Sequence, residues 1–354
     1  MGEESNKNEL SVVKNNYLAK VSSTLSITNK LLTEINSRSS VPSDDFRVAI
    51  PDVNFQKYLT EKLGIIVTEG TVSYGDVKGV TEVDCSITIR YLEINKLKGL
   101  NDYLFINSLE GINYFKNLEI LNCTSQKITH LDVSKNTALT NLDCSYNQLS
   151  HLDITKNTNL TMLDCGGNNL SNLDVSKNTN LTKLDCEGNN LSNLDVSKNT
   201  ALTKLSCQEN QLTHLDISKN TLLVSLHCSD NEITNLDVSK NTFLLSLNCS
   251  DNEIKDLDVS KNTALTTLWC QENQLTHLDI SKNTALTKLR CDRNRLAYLD
   301  VSKNTTLTEF FCCENQLTHL DVSKNTALTT LWCRENQLTH LNLSKNIMLK
   351  YLFK

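Results

Sequence analysis

The sequence predicts a solenoid, a curved parallel β-sheet of stacked 21-residue coils made mostly of strand and turn, closed by a small helical N-terminal cap. Three observations carry this. Eleven of the 13 cysteines (Cys123, Cys144, Cys165, Cys186, Cys207, Cys228, Cys249, Cys270, Cys291, Cys312 and Cys333) stand 21 residues apart. Around each recurs one frame, as in Leu139-x-x-Leu142-x-Cys144-x-x-Asn147-x-Leu149-x-x-Leu152-Asp153-Ile154-x-x-Asn157-x-x-Leu160. The chain of 354 residues is too long for one ordinary globular core, and a repeat relieves that limit.

The frame fits the leucine-rich-repeat pattern with cysteine in one leucine slot. A unit this short cannot bury its own leucines, so each coil must cover the apolar edge of the one before it. Leu142-Asp143-Cys144 alternates in, out, in, as a strand does. Equivalent strands then pair about 4.8 Å apart in a parallel sheet lining the concave side. Leu152-Asp153-Ile154 alternates likewise and is expected to form a second short extended segment on the opposite wall. The asparagines from Asn147 to Asn336, and the second series from Asn136 to Asn346, stand where the chain turns inward, placed to satisfy backbone groups that the turn leaves unpaired.

Residues 1–45 differ in composition, with Leu18, Val21, Leu25, Leu32 and Ile35 at helical spacing, and are expected to be an amphipathic helical or flexible segment. Residues 46–80 are expected to be the cap, with Ile50–Leu59 as a short amphipathic helix and proline near its start. A cap is required because an open first coil exposes apolar side chains and a strand edge. Residues 81–117 read as degenerate coils beginning at Val83-Asp84-Cys85, and residues 118–354 as regular ones.

The 21-residue repeat with a strand cysteine, followed by Leu-Asp-Val-Ser-x-Asn, resembles the cysteine ladder of bacterial internalin-like leucine-rich-repeat surface proteins over roughly residues 80–354. The resemblance implies a secreted or cell-surface adhesion module that recognises a protein such as a host cell-surface receptor. The chain shows neither a sorting motif nor an immunoglobulin-like segment after the repeats. Met1–Asn6 lacks the charged and apolar parts of a secretory signal, which leaves two expectations, a signal already cut away or none.

Function is sought in columns where the repeat leaves the residue free. The outward strand position runs Asn122, Asp143, Asp164, Asp185, Ser206, His227, Asn248, Trp269, Arg290, Phe311, Trp332, Phe353, passing from acidic to aromatic. Both tryptophans lie in it, about 14 Å apart by strand spacing. Trp269, Arg290, Phe311, Trp332 and Phe353, framed by Lys288, Arg334 and Tyr351, are the predicted ligand-binding residues, since aromatic rings and arginine dominate interface hot spots. The competing reading is that the rings merely stack on one another. A glycan is the alternative ligand, and a structural spacer without ligand the alternative role.

Other columns read as structural. The inward cysteines are expected to be buried free thiols, since a straight ladder neither converges on a metal nor suits disulfide geometry. Cys313 is expected to face solvent. His130, His151, His214, His277, His319 and His340 read as surface histidines. The aspartates from Asp132 to Asp321, each with lysine three residues on, read as charge pairs and turn hydrogen bonds rather than calcium ligands. No catalytic motif occurs, so no enzyme, cofactor or metal is expected. With 35 basic against 41 acidic residues the net charge is −6, which argues against nucleic acid and anionic lipid, and no apolar run suits membrane insertion.

Overall fold

The computed structural model describes residues 41–86 and 105–354. The helical pattern read in residues 1–40 and the degenerate coils between 87 and 104 lie outside them. The chain divides between Phe46 and Arg47, and Arg47–Lys354 is one compact unit.

The cap begins with β1 (Arg47–Ala49), followed by α1 (Val53–Leu63), β2 (Thr71–Ser73) and the one-turn α2 (Tyr74–Val77). The helix starts three residues later than Ile50 because Asp52, after Pro51, caps it. The Asp52 carboxylate accepts from the amides of Asn54 and Phe55, both at 2.9 Å. Gly64, at φ 66°, ends it in the left-handed conformation that glycine adopts without strain. The antiparallel pair β1–β2 was not expected; three-residue strands are too short for periodicity to reveal. Cap and coils share one core: Phe55 and Phe115, both fully buried, stack with ring centroids 6.3 Å apart. Asp52 also accepts from the Asn107 amide at 2.7 Å, tying the helix start to the first described coil.

Among the described residues the remaining strands form one 13-stranded parallel sheet in strict chain order. They begin with β3 (Glu82–Asp84) and β4 (Ile120–Asn122). They continue every 21 residues through β5 (Asn141–Asp143), β6 (Met162–Asp164), β7 (Lys183–Asp185), β8 (Lys204–Ser206), β9 (Ser225–His227), β10 (Ser246–Asn248), β11 (Thr267–Trp269), β12 (Lys288–Arg290), β13 (Glu309–Phe311), β14 (Thr330–Trp332) and β15 (Tyr351–Phe353). Pairing is in register by repeat position, so Asp143 lies beside Asp164, and Trp269 beside Arg290.

Leu152-Asp153-Ile154 and its equivalents are extended but form no strand among the described residues, which corrects the expected second wall of paired segments. Their hydrogen bonds go instead to asparagine. Asn157, fully buried, donates from Nδ2 to the carbonyls of Val133 at 3.0 Å and Asn136 at 2.8 Å, and this bond pair recurs from coil to coil. The second asparagine series links the sheet side. Asn168 donates to the Cys144 and Cys165 carbonyls at 3.0 and 3.1 Å while its Oδ1 accepts from the Leu149 amide at 2.9 Å. Gln126 fills that slot in an early coil and reaches between the Cys85 carbonyl at 2.6 Å and the Ile106 amide at 2.8 Å.

All 13 cysteines are buried and free. Several thiols point at the carbonyl of the next coil, as Cys165 does toward Asp185 at 3.5 Å, so the slot takes a small apolar side chain that is also a weak donor. Cys313 is only 6 % exposed, which corrects the expectation that it faces solvent. It stands one position past the inward cysteine, and larger residues in the same column of adjacent coils, Asp292 and Arg334, flank it.

Each coil turns at one left-handed residue. Positive φ recurs at Ser125, Tyr146, Gly167, Gly188, Glu209, Asp230, Asp251, Glu272, Arg293, Glu314 and Glu335, and only two of these are glycine. A non-glycine residue there costs on the order of 1 kcal/mol, and the amide side chain that follows it, Gln126 after Ser125 and asparagine elsewhere, locks the turn, as Asn231 does by donating to the Cys207, Cys228 and Ser229 carbonyls. The aspartates from Asp132 to Asp321 cap a different turn. Asp237 accepts from the Ser239 amide at 2.8 Å, and such bonds hold the carboxyls below their usual range. The expected turn hydrogen bonds are present. Among the described residues no aspartate of this column forms an ion pair with its lysine.

Candidate functional site

The sheet gives every coil one outward side chain between two inward ones, so the free column becomes a continuous strip. At its far end Phe311 and Trp332 meet edge to face with centroids 5.1 Å apart, and Trp332 and Phe353 lie tilted at 5.5 Å. The Arg290 guanidinium stands over the Phe311 ring at 5.2 Å, and that of Arg334 over Phe353 at 4.6 Å. Trp269 is half-buried at the other end, beside Arg290 in the strand register. The rings stack, as the competing reading required, yet Trp332 remains 41 % and Phe353 43 % exposed.

Two predicted residues, Lys288 and Tyr351, stand two positions from the strip on their own strands, and Tyr351 shares a groove with Trp332 and Phe353. Lys288 pairs with Glu309 at 2.9 Å, which neutralises it locally. Tyr351 is 65 % exposed in the column of Lys288, separated from it by Glu309 and Thr330.

Beside the strip lies a groove of about 290 Å³ that sequence reading missed. Its floor includes Asp292 and Cys313, Trp332 and Phe353 form part of its lining, and Arg293 is held between Glu272 at 2.6 Å and Glu314 at 3.1 Å. Asp292 accepts from the Cys313 amide at 3.1 Å and faces Arg290 at 3.6 Å; burial nonetheless pushes its carboxyl up. The sequence signal was the pair of departures in the position after the ladder cysteine, where Asp292 and Cys313 replace the commoner Ser or Gln.

The opposite end of the same column is acidic. Asp143, Asp164 and Asp185 sit side by side on β5, β6 and β7. Burial first, and then the Asp143 charge, push Asp164 up to about 7. Glu187 receives the Tyr146 hydroxyl at 3.0 Å and a hydrogen bond from Gln208. The histidine column is exposed throughout, and among the described residues no group of three His, Cys, Asp or Glu is placed to hold a metal. No described helix is long and apolar enough to cross a membrane.

Parallel three-residue strands, coils of constant length and an asparagine ladder define the chain as a leucine-rich-repeat solenoid. Comparison with solved structures narrows this. The functional domain of InlJ from Listeria monocytogenes, which includes a cysteine ladder, superposes with a TM-score of 0.77 at 37% identity, covering 88% of this chain and 71% of that one. The chain belongs to the internalin family of leucine-rich-repeat proteins. InlF of the same organism superposes with a TM-score of 0.76 at 23% identity, covering 86% of this chain and 91% of its own. The ectodomain of the Arabidopsis thaliana receptor kinase GASSHO1/SCHENGEN3, solved with CASPARIAN STRIP INTEGRITY FACTOR 2, shares the fold with a TM-score of 0.53 at 19% identity, covering 68% of this chain and 39% of that one. No family model and no curated protein sequence matches.

Proposed function

We propose that this chain is an extracellular or cell-surface binding module that recognises a protein partner through the outward face of its sheet, without catalysis. The carrying observation is the strip Arg290, Phe311, Trp332 and Phe353. It is held by ring-on-ring and cation-on-ring contacts, with two rings still more than two-fifths exposed. Rings fixed before binding lose little conformational freedom on contact, which makes each an efficient anchor. The groove beside them accepts a partner side chain at its edge, and the acidic end around Asp164 favours a basic region of the same partner by complementarity. Membership of the internalin family and the sharing of this fold with a receptor ectodomain solved with a bound factor support the reading.

The test immobilises the full chain and the Trp332→Ala/Phe353→Ala double variant and compares capture of surface proteins from host cells. Capture by the native chain that is lost in the double variant is the expected result. Equal capture by both moves the interface off this strip, and saturation by a pure oligosaccharide replaces the protein partner with a glycan.

A further inference from the structure

Two adjacent coils break the repeat in a way unrelated to the aromatic strip. Two outward positions flank the buried leucine that leads into each strand. The first is Ala, Asn or Thr in the coils from Ala138 to Ala327 except at Leu222 and Phe243, and the second is Thr from Thr140 to Thr329 except at Val224 and Leu245. In several coils that threonine hydroxyl donates to the carbonyl of the coil before, as Thr203 does to Thr182 and Thr266 to Leu245, both at 3.0 Å. Val224 and Leu245 give up this bond, although their amides keep the backbone ladder to Thr203 and Val224 at 2.8 and 2.9 Å. Nothing in the fold calls for the change. The inward leucines Leu223 and Leu244 are fully buried as in other coils, whereas Leu222, Val224, Phe243 and Leu245 are 48, 37, 59 and 44 % exposed. Four large apolar side chains in one exposed patch lose solvation energy with no internal return, which is the mark of a surface that another molecule covers.

Charge says which kind of molecule. Lys204 precedes the patch on the neighbouring strand with Lys183 beyond it, both exposed; the turns of the two coils carry exposed Lys219 and Lys240 together with exposed Asp216 and Asp237, so they add no net charge and the positive charge beside the patch is that of the strand lysines. Among the described residues none of these four lysines has a carboxylate within ion-pair distance. A second copy placed face to face would set lysine rows against lysine rows. We propose that Leu222, Val224, Phe243 and Leu245 form a second docking surface, distinct from the aromatic strip, for a partner segment whose apolar anchors are bordered by carboxylates.

The test uses 8-anilinonaphthalene-1-sulfonate, an apolar ring system carrying one anion, and its uncharged analogue 1-anilinonaphthalene as fluorescent probes of the full chain. The comparison is with a variant that restores the repeat, Leu222→Ala, Val224→Thr, Phe243→Ala and Leu245→Thr. These residues occur at the same positions in other coils, so the fold is expected to hold, and an unchanged or raised urea midpoint checks it. Expected are saturable binding of the anionic dye, roughly tenfold weakening in the restored variant as the apolar area is removed, several-fold weaker binding of the neutral dye, and a loss of that anion preference in Lys204→Gln. Trp332→Ala should leave all of this unchanged, which separates the result from the strip. Equal binding to native and restored chains overturns the surface, and equal affinity for both dyes overturns the acidic partner. Sedimentation showing a native dimer that the restored variant abolishes overturns it in favour of a second copy.

Discussion

The Tyr146 hydroxyl donates to Glu187 Oε1 at 3.0 Å although the two residues lie two coils apart, and the ring reaches it by lying across Gly167. A β-carbon at Gly167 would meet Tyr146 Cδ1 at 2.7 Å, and the position has φ +60°. Gly167→Ala therefore combines a displaced ring with left-handed strain and is expected to destabilise by about 1–2 kcal/mol, seen as a lowered urea midpoint. Tyr146→Phe, which keeps the ring, should cost under about 1 kcal/mol. The Glu187 contact also holds the Tyr146 phenol up to about 12, so Glu187→Gln should lower its spectrophotometric titration.

Most of the architecture was legible because a 21-residue period fixes register, strand order and core together. Leu142 and Cys144 had to point inward, and they do. The errors have one source: the period says which residues are equivalent but not how neighbouring coils cover them. Cys313 follows an inward residue, which by the period alone predicts exposure, and its burial depends on Asp292 and Arg334 in the flanking coils. The second wall was read as strand because alternation is the same whether carbonyls pair with amides or with buried Asn157. The strip was found through its residue types, whereas the groove beside it arises from side-chain sizes in a third column.

Trp332 is exposed and Trp269 half-buried in the same column, so acrylamide should quench the two unequally. The Trp269→Phe variant, which keeps only Trp332, is expected to show the steeper Stern–Volmer slope, and Trp332→Phe the shallower. Equal shallow slopes would mean that another segment covers the strip.

Asp164 makes stability depend on pH near neutrality. Its folded pKa of about 7 lies above an unfolded value of about 3.9, so the folded chain holds a proton that the unfolded chain has released. Stability attributable to this site is therefore greatest below the unfolded value and falls as pH rises through the folded one. Asp164→Asn removes the dependence, so the gain in melting temperature over the native chain should be larger at pH 8 than at pH 4. The exposed aspartates such as Asp237 act oppositely: amide hydrogen bonds depress them, and their contribution is lost as pH falls through the folded value.

Burial pushes the ladder thiols up, Cys85 to about 12, and Cys313 on the floor of the groove to about 11. The thiolate is the reactive form. Ellman's reagent at pH 8 should find almost no thiol in the native chain and all 13 in denaturant. Fast reaction of a single native thiol would point to opening at Cys313.

Asn241 distinguishes the two asparagine ladders. Its Nδ2 donates to the carbonyls of Ile217 at 3.1 Å and Asn220 at 2.9 Å, while its Oδ1 is buried without a hydrogen-bond donor, as at the equivalent positions from Asn136 to Asn346. Asn252, in the other series, uses both ends, since its Oδ1 accepts from the Ile233 amide at 2.9 Å. Ile217 and Asn220 each keep one backbone donor, at 3.0 and 3.1 Å, when Asn241 is truncated. Asn241→Ala should therefore cost about 1–3 kcal/mol for two weakened acceptors and a small cavity. Asn241→Asp is worse at neutral pH, because a carboxylate would face two carbonyl oxygens in a buried slot that offers it no donor. Its protonated form restores one donor, so the folded pKa must rise and the defect must shrink in acid. Urea unfolding should show Asn241→Asp well below Asn241→Ala at pH 8 and close to it at pH 5. Asn252→Asp keeps an acceptor for Ile233 and should show a smaller gap between the two pH values. Because each coil touches only its neighbours, hydrogen exchange should place the Asn241→Asp defect in β9 and β10 and leave β5 and β6 protected.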